Sequence, residues 1–213
     1  MKIQKVGTYL NNPIVENLFP TPVYTTELHR KLSKKELGII KKLSNDVYKN
    51  LGNVTSNNKN VLELSELSDL KKDIMVYVED YMNKIIQAPD NVSPYITQSW
   101  LNYTKQNEWH HKHEHPNSYI SGVYYVDADE KTDKIFFYND TYEQINVHPK
   151  EWNMYNSKSW WLPVKTNELI LFPSHLTHMV EVKAGKNIRT SLAFNTFVKG
   201  NLGNSIELTE LIL

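Results

Sequence analysis

The chain has no cysteine, which excludes disulfides, Cys-ligated zinc and thiol nucleophiles, and suits a reducing compartment. It has no net charge either: 24 Lys and Arg face 24 Asp and Glu, so neither nucleic acid nor anionic lipid finds an electrostatic footprint. No apolar run approaches the length of a membrane span, and the opening MKIQKVGTYLNNP lacks the apolar centre of a signal peptide. Internal repeats and low-complexity tracts are absent as well. These absences leave a soluble, cytoplasmic protein as the expectation, with no membrane partner and no indication of nucleic acid. What is present, 213 residues at 40% apolar and 23% charged, suffices for one domain with a sizeable core.

Leu18-Phe19-Pro20-Thr21-Pro22-Val23-Tyr24 reads as an extended entry strand broken by prolines. Ser33 and Glu36 then form an S-x-x-E capping box, and Leu37, Ile40, Leu43, Val47 and Leu51 recur at helical spacing until Gly52. A polar loop from Asn53 to Asn60 precedes a second predicted helix from about Ser65 to Gln87, which Pro89 ends. Its stripe of Leu67, Leu70, Ile74, Val78, Tyr81 and Ile85 fits core packing. From Pro94 the pattern changes to short β-like runs: Tyr95–Tyr103, Tyr119–Asp127, Lys134–Tyr138, Glu168–Phe172, Thr177–Val182 and Ile188–Val198. Helices followed by many short strands predict a mainly β, α+β molecule, with helices packed outside an antiparallel sandwich or jelly roll. The long segment from Asn139 to Leu162, with Tyr142, Trp152, Tyr155, Trp160 and Trp161, is expected to be a functional loop over which substrate enters.

Four of the eight histidines lie in Trp109-His110-His111-Lys112-His113-Glu114-His115-Pro116-Asn117-Ser118. Imidazole is the commonest protein ligand for divalent first-row metals, and residues two apart on extended backbone point the same way. His113 and His115 can therefore share one metal, with Glu114 turned away. A third ligand must come from a distant segment, and Leu171-Phe172-Pro173-Ser174-His175-Leu176-Thr177-His178-Met179-Val180 offers His178, on a strand whose inner face would continue through Val180 and Val182. Other registers stay open: His111 with His113, leaving His115 behind the pair, or a carboxylate from Glu108. Arg189 shares a strand face with Ser191, Ala193 and Asn195. An arginine projecting into a β interior is costly unless an anion neutralises it, and its planar fork fits a carboxylate, with the Ser191 hydroxyl adding a further bond.

His-x-His-Pro-Asn-Ser, then Ile120-Ser121-Gly122-Val123-Tyr124-Tyr125, then Leu171-Phe172-Pro173-Ser174 with His178, then Arg189-x-Ser191 and Phe194-Asn195 resemble a branch of the 2-oxoglutarate/Fe(II) oxygenase superfamily. That branch is related to prolyl hydroxylases and frequent in marine phage genomes. The early Leu18-Phe19-Pro20-x-Pro22 also resembles it, so the likeness spans most of the chain. The resemblance implies a double-stranded β-helix with two long N-terminal helices buttressing one sheet. A single domain would cover 1–213, with an arm and support helices to about 90 and the β-helix core over about 94–200. It implies iron(II) on His113, His115 and His178, and 2-oxoglutarate with its far carboxylate on Arg189 and Ser191. Tyr103 would also touch that co-substrate. The implied reaction converts 2-oxoglutarate and O₂ to succinate and CO₂ while hydroxylating a C–H bond. Kinship with prolyl hydroxylases points to a protein side chain as substrate, and small molecules, lipids and modified nucleobases stay open. For a phage-encoded protein the compartment would be the host cytoplasm.

One departure from the superfamily stands out. Most members use His-x-Asp/Glu with a distant His, whereas the carboxylate position here reads His115. Three neutral imidazoles leave Fe(II) with a higher net charge. Two other readings follow from the same residues: a cupin-like three-histidine dioxygenase in which Arg189 binds a substrate carboxylate, and a non-catalytic metal-binding jelly roll. Asn117 and Ser121 are candidates for orienting the ligands from behind.

Overall fold

Ser33 opens the first helix, α1 (Lys34–Leu43), as the S-x-x-E spacing predicts: Glu36 N–H donates to Ser33 Oγ, and Ser33 N–H returns a 2.7 Å bond to Glu36 Oε2. The computed structural model describes residues 14–141 and 145–213; the first thirteen residues, including the stretch read as lacking a leader, and Tyr142 lie outside the described residues. α1 ends at Leu43 rather than Gly52, because the amides of Ser44, Asn45 and Asp46 fold back onto the carbonyls of Lys41, Lys42 and Leu43. Val47 and Tyr48, β-branched and aromatic, then enter a short strand, β2 (Val47–Lys49), which pairs with β3 (Val54–Ser56) inside the segment predicted as loop. Gly52 turns this hairpin at φ 94°, where a Cβ would sit 2.5 Å from the Trp109 carbonyl.

The second helix, α2 (Ser68–Tyr81), follows two 3₁₀ turns and runs into a π turn at Met82–Ile86, closed by Gln87 at φ 53°. Leu67, Leu70, Ile74, Val78 and Tyr81 are buried as the stripe predicts, but Ile85 is 37% exposed, since the π turn rotates it off that face. With α1 only ten residues long, one long helix buttresses the sheet, not two. No helix among the described residues is long and apolar enough to cross a membrane.

The rest is antiparallel sheet. In the larger one β1 (Tyr24–Glu27), β9 (Glu168–Pro173), β6 (Ile120–Asp127), β11 (Arg189–Leu202), β4 (Val92–Thr104), β3 and β2 follow in that order, and β12 (Leu211–Ile212) pairs with the end of β11. The smaller sheet runs β5 (His110–His113), β10 (His178–Val180), β7 (Lys134–Tyr138), β8 (Ser159–Pro163). Each predicted β run contains a strand, while β2, β3, β5, β8 and β12 fall outside those runs. β1 starts only at Tyr24; the proline-broken stretch before it is not strand, and Phe19 sits at φ 58°.

Alternation sorts the larger sheet into two faces. Leu101 and Tyr103 of β4, Ile120 and Tyr124 of β6, Leu169 and Leu171 of β9, and Leu192 and Phe194 of β11 pack against the helices. The residues between them face the smaller sheet, where Tyr125, Ile170 and Phe172 meet Ile135, Phe137 and Val164. The functional candidates lie in this second layer.

Candidate metal centre and anion pocket

His113 ends β5, His178 begins β10, and the two are directly paired across the smaller sheet. His115 lies just past β5, fixed by its own N–H to the Ser174 carbonyl at 2.9 Å. One ring nitrogen from each of His113, His115 and His178 falls within 4.8 Å of the others. Glu114 is exposed, as expected from its position between them, and so is His175, which leaves His178 as the histidine of its segment in the cluster. β10 stops at Val180, so Val182 does not continue the inner face and is 62% exposed.

Every ring of this trio is tethered through Nδ1. His113 Nδ1–H donates to the His111 carbonyl at 2.7 Å, and His178 Nδ1–H to the Leu176 carbonyl at 3.0 Å. His115 Nδ1–H donates to Asn195 Oδ1 at 2.5 Å, with Ser121 Oγ at 2.9 Å. A neutral imidazole that donates from Nδ1 carries its lone pair on Nε2, so the three tethers turn three lone pairs to one place. Burial is the largest cause that lowers all three pKa values: His115 to about 4, His178 well below its usual value, His113 in the same direction. The rings are therefore neutral near pH 7, the form a divalent cation binds.

A second trio, His110, His111 and His113, is equally close. It competes for His113, and it is not prepared in the same way. His110 Nδ1 lies 3.2 Å from Asn53 Nδ2, which spends its lone pair on that amide, and His111 Nδ1 is buried without a partner. Glu108 does not approach either trio; its carboxylate accepts from Lys105 N–H at 2.7 Å and closes an exposed turn. Of the two residues considered for orienting ligands, Ser121 contacts the His115 ring, while Asn117 occupies an exposed turn at φ 55°.

Arg189 begins β11 and is 3% exposed, its Nη2 donating to Thr104 Oγ1 at 3.2 Å. Burial lowers its pKa, and among the described residues no carboxylate pairs with it. The nearby Asp133 is already held by Lys183 Nζ at 2.8 Å. A cavity of about 50 Å³ joins Arg189 and Ser191 to His113, His115 and His178. Asn102 also lines it, with a buried Oδ1 that has no partner. A cationic fork, a hydroxyl and three lone-pair donors around one largely apolar space fit a divalent metal with an anionic organic ligand.

Tyr103 corrects an expectation. Its hydroxyl donates to the Ile40 carbonyl at 2.7 Å on the helix side of the sheet, because odd-numbered positions of β4 at this point face the helices. The tyrosine that lines the cavity is Tyr125, opposite Ser191 across the β6–β11 ladder, a phenol that burial keeps neutral. Asn195, which the sequence places on the Arg189–Ser191 face without a role of its own, contacts the His115 ring. No residue described between 139 and 162 lines the cavity or the groove beside it; the groove is walled by the β2–β3 hairpin and β4.

The family model described as "Putative 2OG-Fe(II) oxygenase" matches residues 98–195, from Gln98 beside the cavity to Asn195. No curated protein matches the chain by sequence. Among solved structures, HygX from Streptomyces hygroscopicus with nickel, 2-oxoglutarate and hygromycin B bound aligns at TM-score 0.57 and 10% identity, over 83% of this chain and 82% of that one. A prolyl hydroxylase from Trichoplax adhaerens, in complex with a peptide fragment of hypoxia inducible factor, aligns at 0.56 and 12% identity, over 82% of this chain and 83% of the other. An oxidoreductase of the 2OG-Fe(II) oxygenase family from Burkholderia pseudomallei aligns at 0.54 and 13% identity, covering 81% and 84%. At such identities the structural likeness speaks to the fold.

Proposed function

We propose that the chain is a 2-oxoglutarate/Fe(II) oxygenase, the family whose model matches residues 98–195, and that it is a hydroxylase with iron on His113, His115 and His178 and the co-substrate on Arg189. The observation that carries the site assignment is the set of three Nδ1 tethers, which leaves three Nε2 lone pairs converging beside a buried guanidinium without a carboxylate. The two facing antiparallel sheets are read as the two halves of a double-stranded β-helix, within one domain.

When bound, iron(II) and 2-oxoglutarate supply oxidation of a C–H bond by O₂, coupled to loss of CO₂ from the co-substrate and formation of succinate. The protein's part is to bind, orient and exclude. Arg189 takes the far carboxylate of 2-oxoglutarate in its fork, with Ser191 Oγ and Thr104 Oγ1 beside it. Asn102 Oδ1, without a partner among the described residues, would accept from a water bound in the same space. Ile135, Val123 and Ala193 line the same space and keep it poor in water, which strengthens the Arg189–carboxylate attraction. Asn195 and Ser121 hold His115 in the Nδ1–H tautomer, replacing the orientation that a carboxylate ligand would otherwise provide. The substrate class proposed from the prolyl-hydroxylase kinship is a protein side chain.

The test is anaerobic addition of Fe(II) and 2-oxoglutarate to metal-free protein, followed by the visible charge-transfer band of the chelate. His113→Ala and His115→Ala should abolish the band, and His111→Ala should keep it. Arg189→Ala should weaken 2-oxoglutarate binding at least about 30-fold, the loss expected when one partner of a buried charge pair is removed. One tightly bound metal per chain without any band would instead favour the cupin-like three-histidine reading.

A further inference from the structure

An open groove of about 320 Å³ runs from the histidines, past Trp100 and Gln98, to Tyr48, Asn50 and Lys59. Its floor is one face of β4. Gln98, Trp100 and Asn102 alternate along that face, so the four-residue path from Asn102 in the cavity to Gln98 is roughly 13 Å. The Trp100 ring lies 5.7 Å from that of His115 and marks the inner end. At the outer end, the Lys59 carbonyl accepts from Ser99 N–H at 2.8 Å, which fixes the Lys59 backbone beside the floor.

Among the described residues, no carboxylate lines the groove. Lys59 Nζ donates to Tyr48 Oη at 2.7 Å and to the Ser56 carbonyl at 2.8 Å, and it lies 4.1 Å from the centre of the Tyr48 ring. An ammonium has three N–H donors, so two hold it in place and one remains. Neither fixed partner cancels its charge, and no acid among the described residues pairs with it. The site is thus a held cation in a groove whose amide and hydroxyl groups outward of the histidines, Asn50, Thr55 and Gln98, are neutral.

We propose that this groove binds the substrate through a carboxylate or phosphate placed on Lys59, with the reacting carbon about one strand-face repeat or two inward, beside Trp100 and the histidines. The proposal rests on the oxygenase reading above and adds a substrate class to it: an anionic molecule or anionic side chain whose charged group stands off from the reacting carbon. Cationic substrates are disfavoured, because the groove offers them a lysine and a metal centre and no acid.

Lysine labelled with ¹³Cε and ¹⁵Nζ gives each ammonium an NMR signal, and the one missing from Lys59→Gln belongs to Lys59. Protein carrying Zn(II) in place of iron, with 2-oxoglutarate bound, would be titrated with inorganic phosphate and separately with acetate. The expected result is a saturable shift at Lys59 that equal ionic strength of sodium chloride does not produce. Matched pairs of short carboxylic acids with their amides, and of phosphate monoesters with their parent alcohols, would then be tested for stimulated succinate formation by the iron protein. The charged member of one pair type should stimulate, which says whether carboxylate or phosphate is read, and Lys59→Gln should raise its KM about tenfold. A Lys59 signal that responds no more than other exposed lysines overturns the proposal, as does stimulation by neutral members that survives Lys59→Gln. Absence of the charge-transfer band would fail the oxygenase reading separately, while the Lys59 titration on the same protein still reports on the groove.

Discussion

Asn195 does for His115 what spacing alone cannot: it decides which ring nitrogen carries the proton. Asn195→Ala should therefore lower divalent-metal affinity about 10- to 100-fold while leaving the urea midpoint nearly unchanged. Competition titration with a chromophoric chelator measures it, and unaltered affinity would remove Asn195 from the site. Gly122 poses a steric demand of a different kind. A Cβ there would stand 2.1 Å from Cζ of the fully buried Phe194, so Gly122→Ala should cost about 1–3 kcal/mol in chemical denaturation. At this scale residue type and two-residue spacing singled out His113 and His115, which the structure brings close to His178 beside a cavity that Arg189 also lines. The sequence misled at Tyr103, because one residue of strand phase decides between the helix side and the cavity. The Asn195–His115 contact joins residues 80 apart in the chain and needs the strand register to be seen.

Among elements, α1 depends most visibly on charge. Burial alone would raise the Glu36 pKa, but bonds from the Arg30 guanidinium at 2.7 and 2.8 Å and from Ser33 hold it down at about 2. A carboxyl depressed in the folded state stabilises folding above its unfolded pKa, near 4.5, and that contribution fades as pH falls toward 2. Unfolding free energy should therefore drop over this window in the native protein and drop less in Glu36→Gln, as followed by urea titration at several pH values. Arg30 also reaches Asp73 of α2 at 2.5 Å, so the same acid step loosens the docking of one helix on the other. The capping box was readable because it is local. The end of α1 was not: the periodicity of Val47 and Leu51 fits a helix, and pairing with β3 overrides it.

For the whole molecule, the fully buried Lys183–Asp133 pair ties the segment leading into β11 to the start of β7, joining the two sheets close to Arg189. Lys183→Met would strand the Asp133 carboxylate and should cost about 3–5 kcal/mol, whereas Lys183→Met with Asp133→Leu should recover much of that loss. Additive losses in the double variant would sink this account. Helices outside packed antiparallel sheets were legible from the order of the chain, helices first and many short strands after them. The existence of β5 and β8 was not, since His110–His113 reads as a ligand cluster and Ser159–Pro163 as part of an aromatic loop.

On the proposed site, the same two-sheet construction would give a bound metal a mechanical role. His113 and His178 belong to the smaller sheet, while His115 is bound through Asn195 and Ser121 to the larger one. An ion on all three is a cross-link between layers, and opening either sheet edge at this point must first release it. Amide protons of β10 and β5 should then exchange with solvent more slowly as free metal rises, in proportion to its concentration over the dissociation constant, while those of β12, which touches no ligand, keep their rate.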